Sequence, residues 1–458
     1  MKLTNKFLIG FMAIAACGCG QKQSDNPLLN DFTTPYGIAP FEEITIDNYR
    51  EGILLGMEEQ KAEIEAIINN PEEPTFQNTI VAMDQSGKLL RKVRGTFSPL
   101  TSSNSTEESR ALEKELSPLM SAHSDDINLN EKLFARVKKV YDNRENIKLT
   151  PEEKTVLENI YKRFVNSGAE LSETEKEKLR ELNQQLSMLE LTFSQNLLHE
   201  TNNTFVVANS LEELKGLPQA NIDAAAKMAA DNGQPGKWMF NMQRPSCNPV
   251  LQYCENRDLR KKVYDAYYNR GNTGNEYDSK EICRQLVTLR LEKAKLMGYN
   301  NYAEMVLEDR MAKTPEAVFE LLDQVWEPAV AKAKEELDDI RAEIRKEGKN
   351  FEPAGWDYMY YLDKAKRAKY SVDEQEIREY MEINNVMKGV FHVATQLYGV
   401  TFKEITADVP AYEPTAKAYE VIDKDGTVLA IFYSDNYPRE SKRAGAWCTS
   451  FRGQNYDG

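Results

Sequence analysis

Residues 172–193 read SETEKEKLRELNQQLSMLELTF. Ser172 is answered three positions on by Glu175, the capping-box pattern that opens a helix. Leu179, Leu182, Leu186, Leu189 and Phe193 then recur at helical spacing and form one buried seam. The charged remainder, including Glu175-Lys176-Glu177-Lys178, is the solvated face. A long amphipathic helix with a start signal and one apolar stripe needs a partner of the same kind, so this stretch argues for a helical bundle.

The same grammar continues outward. Upstream, Thr150-Pro151-Glu152-Glu153 is a capping box with proline at the first helical position. It leads into Val156, Leu157, Ile160 and Phe164, and Gly168 closes that helix. Tyr49, Ile53, Met57, Ile64 and Ile68 form another stripe, stopped by Asn70-Pro71. Downstream, Phe205–Ala208 and Lys237–Met242 are short β-like runs around a small helix near Asn221–Ala230. Helical periodicity resumes at Asp258–Arg270 and Glu281–Lys295. A long helix starts at Thr314-Pro315-Glu316 and runs to about Gly348, and Asn384–Tyr398 ends at Gly399. Asp425-Gly426 then sits between the alternating runs Ala418–Asp423 and Thr427–Ser434, a strong hairpin signal. Gly445–Phe451 reads as a third extended run, and the chain is expected to continue beyond Gly458, because a sheet edge left open there is a poor ending. The expected fold class is mainly α, with helical bundle domains and a small antiparallel sheet near the C-terminal end of an incomplete catalytic domain. The expected organisation is a leader (1–16), a tether (17–40), a helical domain (41–205), a small mixed connection (206–244) and the front of a catalytic domain (245–458).

Composition narrows the function classes. Hydrophobic residues are 41% and charged residues 29%, the balance of a soluble, helix-rich chain. The net charge of −15 repels phosphate backbones, so nucleic acid is not an expected partner. Lys2 and Lys6 precede the apolar stretch Phe7–Ala16, which is too short to span a bilayer. Ile14-Ala15-Ala16-Cys17 resembles the bacterial lipobox, in which the chain is cut before a lipid-modified cysteine; ordinary secretion is the alternative. A lipidated Cys17 implies attachment to the cell envelope, on the periplasmic side, through a polar tether over residues 18–38. Cys247, Cys254, Cys283 and Cys448 make no disulfide framework and no C-x-x-C zinc spacing; Cys247 and Cys254 are the nearest pair, open to a disulfide or to free buried thiols.

Side chains that carry chemistry are sparse. There are three histidines, and none has a second histidine at helical spacing. His123 is read as lying in a polar loop and His392 within the helix ending at Tyr398. His199-Glu200-Thr201-Asn202-Asn203 begins like H-E-x-x-H but has Asn203 where the second ligand belongs, so His199 reads as a helix C-terminal residue favoured by the dipole. No nucleophile elbow, Walker loop or dinucleotide fingerprint occurs. With 73 carboxylates, spacing alone singles out no glycosidase-type pair; a hydrolase of that kind in the helical front would keep its activity after truncation near residue 205.

Longer words say more. Leu259-Arg260-Lys261-Lys262-Val263-Tyr264-Asp265-Ala266-Tyr267-Tyr268-Asn269-Arg270-Gly271 resembles a stretch of the thimet-oligopeptidase-like zinc metallopeptidases, most closely their peptidyl-dipeptidase branch. Met297–Ala303, Asp309–Pro315 and Trp356-Asp357-Tyr358-Met359-Tyr360-Tyr361 resemble further words of that branch. Tyr437-Pro438-Arg439, Ser441-Lys442-Arg443 and Gly445-Ala446-Trp447 resemble the run before its active-site helix. The resemblance covers about residues 240–458 in the family's order. It implies an enzyme that removes dipeptides from the C-termini of short peptides, acting as a monomer with zinc held by H-E-x-x-H and a later glutamate. Those ligands are not present here, so the residues in hand are expected to bind no zinc, to include no catalytic residue and to be inactive alone. What the resemblance leaves on this chain is substrate binding: Gly445, Ala446 and Trp447 are placed to pair with an extended peptide, as an edge strand does. The alternative for these three is that Trp447 packs inward and Gly445 marks a bulge. Trp356, Tyr360 and Tyr361 are expected in the core with hydroxyls satisfied locally, and Arg439, Lys442 and Arg443 as a solvated basic edge. The rival function is a non-catalytic, peptide-binding envelope lipoprotein.

Overall fold

The computed structural model describes residues 24–454. Helix α1 (Ile46–Ile68) starts at Thr45, whose hydroxyl and the Asn48 side chain cap each other's backbone. A π-turn at Phe76–Val81 feeds α2 (Ala82–Gln85), and α3 (Lys88–Ser103) follows from Gly87 in the left-handed region at φ +71°. Helices α1 and α3 touch nearly backbone to backbone: a Cβ on Gly56 would lie 2.8 Å from the Leu90 backbone. That approach lets Tyr49, Ile53, Leu90, Val93 and Phe97 share one core with Leu112 and Leu116 of α4 (Glu107–Asn128). A second core, around Leu133, Val137, Leu157 and Phe164, joins α5 (Glu131–Asp142) and α6 (Pro151–Asn166) to the end of α1. Helix α7 (Glu173–Asn203) runs alongside α4. Its seam is buried at Leu179, Leu182 and Leu186 and half-buried at Leu189 and Phe193.

The middle of the chain forms a separate core. Strands β1 (Val206–Ala208) and β2 (Trp238–Phe240) pair antiparallel around α8 (Gln219–Asp231), with Val206 opposite Phe240. They pack on α9 (Arg244–Tyr253) and α10 (Arg257–Tyr268), where Cys247 and Cys254 are free, fully buried thiols. Then come α11 (Lys280–Leu296), α12 (Tyr302–Leu307), α13 (Pro315–Lys346), α14 (Gly355–Tyr370), α15 (Glu374–Tyr380) and α16 (Ile383–Tyr398). Asp357 is the hinge of this part. Its carboxylate is fully buried and accepts from Arg257 Nη2 at 2.7 Å, Arg260 Nη2 at 2.9 Å and the Ala354 amide at 3.0 Å. Arg260 also donates to the carbonyls of Cys254 and Trp356, so one buried guanidinium ties α9, α10 and α14 together. Tyr360 and Tyr361 are core residues as expected, with Tyr361 Oη donating to Glu347 at 3.0 Å.

The C-terminal sheet is three-stranded: β3 (Thr401–Glu404), β4 (Lys417–Ile422) and β5 (Val428–Ser434), with β4 in the middle. The β4–β5 hairpin turns at Asp425-Gly426 with Gly426 at φ +89°. Three readings of the sequence are corrected. The third strand is Thr401–Glu404 and not Gly445–Phe451, because nearby backbone groups bond the helical front instead: Ser105 N donates to Ser441 O and Arg443 N to Ser102 O. His123 lies within α4 rather than in a loop, since the Thr106–Ser109 capping box starts a helix that its polar residues do not stop. The tether is packed from Asn26 onward: Asn26 Nδ2 donates to Asn48 O at 3.0 Å, and Leu28 is fully buried beside α1 and α3. The leader and Cys17 lie outside the described residues. No described helix is long and apolar enough to cross a membrane.

Candidate substrate cleft

A cleft of about 2690 Å³ opens between the helical front and the C-terminal sheet. One wall is α3 and α4, with contributions from α1 and α7; the other is β5 and the irregular segment after it, which includes Gly445 and Trp447. Helix α3 buries Leu90, Val93 and Phe97 in the core; Leu90 and Phe97 also line the cleft, together with its exposed Arg91, Arg94 and Ser98.

The second wall is held by a buried ionic clamp. Asp435 accepts from Arg439 Nη2 at 2.7 Å and from Lys442 Nζ at 3.0 Å, and Tyr412 Oη donates to it at 3.2 Å. Burial pushes the Asp435 carboxyl up, but Arg439 and Lys442 outweigh that and hold it below the ordinary carboxylate value. Arg439 also donates to Ser103 O, and Asn104 Nδ2 donates to Tyr412 O at 2.9 Å, which fastens the wall to the end of α3. The expected solvated basic edge is therefore corrected. Arg439 and Lys442 are spent on Asp435, and Arg443 remains exposed. Farther on, Phe451 packs between Phe41, Tyr412 and Tyr433, and its carbonyl crosses α3 so closely that a Cβ on Gly95 would meet it at 2.4 Å.

Gly445 stands at φ +111°, exposed, with open space where a side chain would go. Ala446 is exposed beside it. Trp447 is half-buried; Arg443 Cζ and Lys442 Nζ lie 5.0 and 5.8 Å from its ring. Gly445 and Trp447 line the cleft. The sequence reading missed the α3 wall, although Lys88, Arg91, Lys92 and Arg94 recur on it at spacings that the first-seen seam already exemplified.

His199 and Glu200 stand elsewhere. The His199 ring stacks on Tyr277, with centroids 3.7 Å apart. Glu200, 2% exposed, accepts from Thr273 Oγ1 at 2.6 Å, Asn275 Nδ2 at 3.0 Å and the Gly271 amide. It anchors the loop between α10 and α11. Among the described residues no three His, Cys, Asp or Glu side chains stand together so as to hold a metal ion.

Residues 250–457 match the model of peptidase family M3. Dipeptidyl carboxypeptidase of Escherichia coli (strain K12) is 36% identical over 427 residues, covering 93% of this chain and 63% of that protein. Dipeptidyl carboxypeptidase of Salmonella typhimurium is 34% identical over 429 residues, covering 93% and 63%. Oligopeptidase A of Haemophilus influenzae is 30% identical over 426 residues, covering 92% and 62%. The chain thus spans less than two thirds of the length of these relatives. Shared words, a mainly helical fold and these matches agree: the chain belongs to peptidase family M3, the thimet-oligopeptidase-like peptidases, in the dipeptidyl carboxypeptidase branch.

Proposed function

We propose that this chain is the N-terminal, substrate-holding portion of a zinc-dependent peptidyl-dipeptidase that releases dipeptides from the C-termini of short peptides. The observation that carries this reading is the cleft walled by Gly445 and Trp447 in a chain so similar to dipeptidyl carboxypeptidases. The wall at Gly445 leaves room for a peptide backbone, and Trp447 offers its indole to a side chain. The zinc ligands and the water-activating glutamate belong, on this reading, to a further segment of the protein. Exposed apolar stripes support such a segment: Phe319, Leu322 and Trp326 on α13, and Val386, Val390, Val393 and Leu397 on α16. Stripes of that kind mark surfaces that another element covers.

The test is a pair of assays on short unmodified peptides. The 458-residue chain with added zinc should cut none of them. The protein carrying the further segment should shed dipeptides stepwise from the free C-terminus, and a chelator should abolish the activity. Cleavage by the 458-residue chain itself, or release of single amino acids by the longer protein, would overturn the proposal.

We also propose that the protein is anchored to the envelope through lipid on Cys17, on the strength of Ile14-Ala15-Ala16-Cys17. Cys17→Ala should move it from the membrane fraction to the soluble fraction of its cells. Equal partition of the two forms would count against the anchor.

A further inference from the structure

The cleft holds more positive charge than its own carboxylates answer. Glu190 is paired with Arg290 at 2.7 Å, and Asp435 with Arg439 and Lys442. Asp125 is bonded by Asn183 Nδ2 at 2.9 Å, and Lys293 donates to the same Asn183 at 2.7 Å. Asp31 and Asp84 lie within electrostatic reach of Lys92 and Arg163, and Glu113, also on the cleft, is pushed up by burial with only Thr101 and Gln195 as its hydrogen-bond partners among the described residues. Arg91 and Arg94 on α3 are left over. The Arg91 guanidinium donates only to the carbonyls of Ser86 and Gln85, and Arg94 makes no hydrogen bond or ion pair among the described residues. Both are exposed, both line the cleft, and their spacing of three puts them on neighbouring positions of one helix face. Arg94 is also felt on the same wall at His123 of α4: burial pushes that imidazole below its ordinary value, and Lys61 and Arg94 press in the same direction against Asp126.

We infer that Arg91 and Arg94 form a carboxylate-receiving subsite, which makes the cleft select peptides with acidic side chains. Guanidiniums match the planar, two-oxygen geometry of a carboxylate better than ammonium groups would, and a spacing of three on one helix lets both reach the same ligand. The pair stands in a chain of net charge −15, which as a whole repels acidic peptides. The inference rests on the reading of this cleft as the peptide site and adds to it the class of peptide preferred. A free C-terminal carboxylate has the same chemistry as an aspartate or glutamate side chain, so the test separates the two sources.

Fluorescence anisotropy of dye-labelled hexapeptides on the 458-residue chain provides that test. The peptides come as Glu and Gln versions at one central position, each with a free or an amidated C-terminus. The Glu peptide should bind about fivefold more tightly than the Gln peptide at low salt, whether or not the end is amidated, and the gap should shrink as salt is added. In the double variant Arg91→Gln/Arg94→Gln the gap should vanish, with the Glu peptide falling to the affinity of the Gln peptide. Arg91→Lys/Arg94→Lys should restore part of it. Equal affinity of the Glu and Gln peptides for the unaltered chain would overturn the inference, as would a gap that survives in the glutamine variant. Sensitivity to amidation alone would overturn it in favour of the C-terminal carboxylate. Binding of no peptide at all would overturn the peptide-cleft reading as well, so the two failures are distinct.

Discussion

Asp357→Asn is expected to lower the unfolding free energy by about 3–5 kcal/mol, read as a shift of the urea denaturation midpoint. The carboxylate is fully buried, and removing its charge leaves Arg260, itself 1% exposed, without a counter-ion in the interior. Asparagine keeps one acceptor oxygen, so the loss comes from the uncompensated guanidinium more than from geometry. Replacing both partners, Arg260→Met with Asp357→Leu, should recover much of the deficit, because neither charge then needs a partner. Acid supplies a second readout. Burial pushes the Asp357 carboxyl up, but Arg257, the Ala354 amide and Arg260 outweigh it and hold it below the ordinary value. A lowered folded-state pKa contributes stability that is complete above the ordinary carboxylate range and is lost as pH falls through the lowered value. The unaltered chain should therefore weaken more steeply on acidification than Asp357→Asn. An Asn variant with an unchanged midpoint and an identical acid profile would refute this account of the hinge.

Glu200→Ala is expected to cost about 1–3 kcal/mol, since it removes the buried acceptor of the Gly271 amide, the Thr273 hydroxyl and the Asn275 amide, of which Thr273 and Asn275 are exposed and can turn to water. Glu200→Gln keeps one acceptor oxygen and should cost roughly half as much. Hydrogen exchange should quicken at residues 270–279 before it does elsewhere, because the anchor is local. Exchange that quickens uniformly along the chain would show that Glu200 supports the whole fold instead.

These two residues show what was legible in the sequence and what was not. Capping boxes at Thr150 and Ser172, the helix start at Thr314 and the Asp425-Gly426 turn were readable because each is decided by atoms a few positions apart. The choice of β3 as third strand was not readable. Thr401–Glu404 takes the place beside β4, while the chain just before Gly445–Phe451 is bonded through Ser441 and Arg443 to Ser105 and Ser102, more than 300 positions away. His199-Glu200 looked like half of a metal motif; the Thr273 and Asn275 side chains that occupy the glutamate come from a loop no local pattern connects to it. Gly445 and Trp447 were found through word resemblance, and the structure puts them on the cleft. The α3 cations on the same cleft were not singled out, because a charged helix face looks the same in sequence whether it meets bulk water or a cleft.

The tie between Arg439 and Ser103 spans 336 positions. A ribosome therefore delivers one wall of the cleft long before the other, and the early wall waits as a plain helical surface. No groove able to trap an extended strand exists until the last part of this region has emerged and closed on the end of α3. On the proposed reading of the cleft as a peptide site, the growing chain is thus spared from gripping its own unfinished segments, which are the extended peptides nearest to hand.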